Sequence, residues 1–167
     1  MEFSHLRLSL VLPFLVILGT MVACGLTSHP SDQELEQQLR SHTAEFDKLV
    51  SMLREDSDVV RLDSKHVFLS KTSKRTISEY RLNEYRRLFK KLGLEGGVHR
   101  YESEVIRFIA STEGMFVPSS EKSFVHSTIE LTPQVNSLDD VANQESTSQQ
   151  PVYKKVFGNW YLYYESW

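Results

Sequence analysis

Only one cysteine, Cys24, occurs in the 167 residues. No intrachain disulfide can form, and paired-thiol and multi-cysteine zinc chemistry is excluded, so packing alone must hold the fold. A long apolar run is also missing. A spanning helix needs ~20 apolar residues, and the stretch 6–23 falls slightly short, with Pro13 near its middle. Gly96 and Gly97 make a turn, not a phosphate loop, because no strand and helix bracket them in the required order. The acids Glu55, Asp56 and Asp58 fail the EF-hand pattern. Counted from Asp56, the glycine and glutamate places hold Arg61 and Val67, so the cluster reads as a solvated helix end. His126 has no serine or aspartate at triad spacing. Glu102 and Glu104, two apart on a predicted strand, read as solvent-side acids. Metal-ligand spacing and a nucleophile elbow are absent as well. The expectation is a protein that is not an enzyme and carries no cofactor or metal.

What the chain does have begins at its N-terminus. Arg7 precedes an apolar stretch over 8–18, and Gly19 and Thr20 lead into Met21, Val22, Ala23 and Cys24. That is the anatomy of an export signal with a small-residue cleavage site. The last four residues resemble the lipobox of bacterial lipoproteins, with Met21 where that family usually has leucine. The resemblance implies that residues 1–23 are a signal peptide, cut before Cys24, and that Cys24 carries a thioether-linked diacylglycerol and an amide-linked acyl chain. One acyl chain binds a bilayer only marginally, whereas two or three hold the protein there. The implied location is the bacterial cell envelope. In a Gram-negative host it is the outer membrane facing the periplasm, since Gly25 is not the aspartate of inner-membrane retention. A nucleic acid partner is not expected there.

Residues 24–30 read as a short tether and 31–167 as one domain, with a composition of 40% hydrophobic and 25% charged residues that excludes wholesale disorder. Ser31 with Glu34 forms a capping box, and Leu35, Leu39, His42, Phe46, Leu49 and Leu53 recur in steps of four and three. The spacing predicts one long helix over 32–54, with His42 a partly buried histidine bonded to a neighbour. Thr76 with Glu79 predicts a second helix over 76–92, stopped by Gly93 as a left-handed cap. Residues 61–91 hold ten Lys or Arg against three acids, between acidic flanks. Arg86, Arg87, Lys90 and Lys91 are therefore candidate binding residues for anionic lipid or a negatively charged envelope protein. The competing reading pairs them with the acidic flanks of their own domain.

Beyond the glycine turn the pattern becomes extended, with strands predicted over 101–110, 115–117 and 124–131. The polar run 142–150 reads as a mobile loop, and a terminal hairpin spans 152–157 and 160–167 across Gly158 and Asn159. Trp160, Tyr161, Tyr163, Tyr164 and Trp167 place aromatics on both faces of the last strand, one for the core and one free to line a groove. The expectation is an α+β domain, two N-terminal helices on one face of an antiparallel sheet of about four or five strands. In element order it resembles the helix-first, curved-sheet domains of the nuclear-transport-factor and cystatin-like kind, and the aromatic tail looks like that of small envelope lipoproteins without a described activity. The function expected is non-catalytic binding or scaffolding at the membrane. The alternative is a small-ligand or lipid-binding module with a pocket between the helices and the aromatic strand.

Overall fold

The computed structural model describes residues 29–94, 96–102, 104–114, 119–144 and 150–167. The expected signal segment, Cys24 and residues 25–28 of the expected tether, the extended stretch expected at 115–117 and positions 145–149 of the polar run lie outside the described residues. Helix α1 (Asp32–Ser41) opens as its capping box predicts. The Ser31 N–H donates to the Glu34 carboxylate at 2.8 Å, and the Ser31 hydroxyl oxygen accepts from the Glu34 N–H at 3.3 Å. The expected single helix is nevertheless two. His42 departs from helical geometry (φ −123°, ψ 25°) and separates α1 from α2 (Thr43–Glu55). The Thr43 hydroxyl donates back to the carbonyls of Leu39 and Arg40, at 2.9 and 3.1 Å, a side-chain bond of the kind that bends helices. His42 is half-buried and 3.8 Å from Glu45.

Helix α3 (Glu79–Lys91) is capped by Ser78, not by Thr76: the Ser78 hydroxyl accepts from the Arg81 N–H at 3.3 Å. Its end follows the sequence, with Gly93 at φ 59° and the Leu94 N–H returning to the Phe89 carbonyl at 3.0 Å. A fourth, short helix, α4 (Leu138–Ala142), was not expected.

Among the described residues the sheet has seven strands, against the four or five expected, all antiparallel: β1 (Val59–Leu62), β2 (Val67–Leu69), β3 (Gly97–Glu102), β4 (Val105–Glu113), β5 (Ser120–Ser127), β6 (Val152–Phe157) and β7 (Trp160–Ser166), in the spatial order β2-β1-β3-β4-β5-β7-β6. The strand expected over 101–110 is really the junction of β3 and β4. Glu102 ends one strand and Glu104 sits in the turn before the next, so they share no strand face. The strand expected over 124–131 begins earlier and ends at Ser127.

Period-two alternation divides the sheet. Ile106, Phe108, Phe124, Trp160, Leu162 and Tyr164 join Leu35, Leu39, Phe46, Leu49 and Leu53 of the helices in one core. The Phe46 ring centres it, 4.8 Å from Phe124 and 5.5 Å from Trp160, centroid to centroid. Burying each such side chain contributes about 1.5–3 kcal/mol. Val125, Leu131, Tyr161 and Tyr163 cluster on the opposite face. One end of the core is closed by charge. Lys122 is 1% exposed and donates to the Pro30 carbonyl and to Asp32, both at 3.2 Å, and to Asp139. Lys154 adds bonds to Asp32 and Glu36 at 3.2 and 2.8 Å. The start of α1 is thereby tied to β5, β6 and α4.

Candidate binding site

The face of the sheet turned away from the helices carries an open groove of about 410 Å³. Cross-strand register assembles it. Arg107 on β4 stands opposite Val125 on β5, Ser123 on β5 stands opposite Tyr163 on β7, and Tyr163 in turn faces Tyr153 on β6. Tyr101 and Trp167, each 57% exposed, rise at the rims. The Tyr153 and Tyr163 rings lie 5.5 Å apart and tilted by 55°.

Arg107 is the centre of this face. It is 6% exposed although no helix covers it, because its guanidinium lies between two aromatic rings, 4.4 Å from the Tyr101 centroid and 4.5 Å from that of Tyr163. It donates to the Tyr101 hydroxyl, and Glu121 and Glu165 approach it at 3.2 and 3.8 Å. Those carboxylates are cross-strand neighbours, held together by the cation between them. Burial pushes the Glu121 carboxyl above the ordinary range despite Arg107. Glu165, with its side chain 25% exposed, is the carboxylate that the groove presents to solvent, and it accepts from the Tyr163 hydroxyl. Burial followed by that bond pushes the Tyr163 hydroxyl up.

The residues singled out from sequence divide. Tyr163 is in the groove. Tyr161 shares its face but is buried, its hydroxyl accepting from Lys155 at 2.8 Å. Trp160 points the other way, into the core. Phe46, Phe108, Phe124 and Trp160 fill the space between the helices and the aromatic strand where a pocket was expected, so the cavity beside β7 lies on its other face. The basic cluster of α3 does not meet the groove. Arg86 donates to Glu79 at 2.8 Å and Lys91 to Glu45, while Arg87 and Lys90 are exposed and have no ion-pair partner among the described residues. Pairing within the domain thus accounts for half of the four.

Two other polar clusters are structural. The acidic run is not merely a solvated helix end, since Asp56 accepts from Arg81 Nε at 2.7 Å and from the Tyr85 hydroxyl at 2.8 Å, and Asp58 accepts from Ser73 at 2.8 Å. His29 bonds Ser111 through Nδ1 at 2.7 Å and Ser120 through Nε2 at 2.8 Å, with Glu113 at 3.7 Å on the Nε2 side. This is not a triad, because the carboxylate approaches the same ring nitrogen as the serine and cannot orient the ring from behind. Among the described residues no group of three or more His, Cys, Asp or Glu could hold a metal ion.

Sequence reading missed Arg107, Glu121, Tyr101, Tyr153 and Glu165, whereas Trp167 is one of the last-strand aromatics it had offered to a groove. One signal was present: Arg107 is the lone charge in the apolar run 105–110, where a cation needs a dedicated partner. Compared with protein-family models, with curated proteins and with solved structures, the chain matches none of them.

Proposed function

We propose that the chain is a bacterial envelope lipoprotein, exported by residues 1–23 and anchored through lipidated Cys24, whose folded domain binds or scaffolds without catalysis through the groove around Arg107. The groove carries this reading: a buried cation held between two tyrosine rings, rimmed by exposed Tyr101 and Trp167, is a costly arrangement on a face that no helix covers. Met21, Val22, Ala23 and Cys24 support the anchor.

Chain length supports a position close to the bilayer. Five residue steps separate Cys24 from His29, at most about 17 Å of extended chain. His29 bonds Ser120, which pairs with Ser166, and the Trp167 N–H donates to the Ser119 carbonyl at 2.8 Å. The Trp167 end of the groove is therefore the end nearest the tether.

Fractionation of cells labelled with radioactive palmitate tests the anchor. Wild-type protein is expected in the membrane fraction with label, and Cys24→Ser in the soluble fraction without it. A processed Cys24→Ser chain that stayed with the membrane would overturn the anchor. For the groove, a photo-crosslinking residue replacing Tyr101 in the anchored protein should capture an envelope component that one replacing Thr72 does not. Equal capture from both positions would remove the groove from the reading.

A further inference from the structure

We propose that the occupant of the groove is an uncharged glycan, a chain of N-acetylated hexosamines; this rests on the groove being the binding site. The floor and walls select the ligand class through donors and acceptors rather than through area. Arg107 offers N–H donors, and Glu165 at 3.8 Å offers carboxylate acceptors, with Glu121 beneath them. One cation stands against two carboxyl groups, so the cluster has no excess of positive charge to hold a phosphate, and the guanidinium at its centre works against a polycation.

A sugar hydroxyl both donates and accepts, and can therefore bond the carboxylate and the guanidinium of one cluster. A polyproline segment, the other frequent guest of aromatic grooves, has carbonyl acceptors but no N–H donors, so where it displaces water from Glu165 it leaves that carboxylate only its partners Tyr163 and Arg107. A purely apolar ligand would cost more, since it strips water from the same carboxylate and supplies no hydrogen bond in return. Rings answer the rest of a pyranose. Tyr101, Tyr153 and Trp167 offer flat faces to the C–H surfaces of sugars, and Val105 and Val125 line the apolar part of the groove where acetamido methyl groups can pack. The groove is open to solvent along its length, so a polymer can lie across it without threading.

The test uses full-length protein in a detergent without a sugar headgroup, titrated calorimetrically with chitohexaose and separately with decaproline. Chitohexaose is expected to bind saturably, and Tyr101→Ala and Trp167→Ala each to raise Kd at least tenfold. Trp167 is 57% exposed, so Trp167→Ala should keep the wild-type thermal unfolding midpoint and separates lost binding from any stability that Tyr101→Ala loses by uncovering Arg107. No saturable chitohexaose binding up to millimolar concentration, or binding unchanged in both variants, overturns the proposal. Decaproline binding in its place would also overturn it while leaving the groove a binding site. Failure of the Tyr101 crosslink against the Thr72 control would instead remove the groove reading itself.

Discussion

The ammonium of Lys122 lies on the helix-facing side of β5, among rings, with three oxygen partners: the Pro30 carbonyl, Asp32 and Asp139. Burial acts to raise the Asp139 carboxyl, but the bonds from Lys122 and from the Asp32 N–H outweigh it and hold Asp139 below the ordinary range. Breaking a buried pair is worse than never having built it, because the remaining charge has no water to return to. Lys122→Met should therefore cost about 3 kcal/mol, even with Lys154 still beside Asp32. Urea unfolding would show this as a lowered midpoint at unchanged slope, and a midpoint equal to wild type would show that the cluster contributes nothing to stability. Lys122, between Glu121 and Ser123, lacks the apolar surroundings that mark Arg107 in the sequence. A charge within a strand ordinarily marks the wet face, and only the partners delivered by other elements make burial tolerable.

Gly97 shows how one position decides an element. At φ +73° it occupies the left-handed region, and a Cβ there would run into the Leu62 carbonyl oxygen and lie 2.7 Å from Asp63 Cα. The β1–β3 ladder has only two paired positions, Arg61 with His99 and Leu62 with Val98. Gly97→Ala should therefore undock the β1–β2 hairpin at a cost of about 2 kcal/mol. Hydrogen exchange should find protection lost at Arg61 and Leu62 but kept along β5 and β7, and full protection in β1 would contradict the close approach. The same hairpin marks the limit of sequence reading. Its strands have four and three residues, too short for alternation to show, whereas the terminal hairpin, with longer strands and Gly158 at φ 50°, was readable in full. The break at His42 was hidden because the apolar stripe runs on across it.

Across the molecule, three histidines in different surroundings share one effect, that of burial. Burial lowers the proton affinity of His29, His99 and His126 below the ordinary histidine value. Glu113 opposes this at His29, nearby Arg107 reinforces it at His99, and Arg54 reinforces it at His126. A depressed folded-state pKa means that the unfolded chain binds the extra protons. The stability from these groups is complete above an unfolded value of about 6.5 and is lost as pH falls through the folded values. The thermal midpoint should thus drop between pH 7.5 and pH 5.5, ahead of the ordinary carboxylate range, and His29→Gln should flatten the decline. A midpoint that stayed level across that interval would refute the assignment. His29 also joins the chain ahead of α1 to the β4–β5 end of the sheet through Ser111 and Ser120, so its protonation would loosen that end.

By itself the sequence determined the features that depend on neighbours a few residues away: the capping box at Ser31, the left-handed stop at Gly93, the apolar stripes of the helices, the terminal hairpin and the α+β class. Tertiary structure alone decided that β7 lies between β5 and β6, which face the helices cover, and that Arg107 meets rings from β3 and β7. Periodicity states that a strand has two faces but not which one will be buried. That choice is made by pairing between segments distant in sequence, where the gain from burying Phe46, Phe124 and Trp160 outweighs the entropy of closing the chain between them.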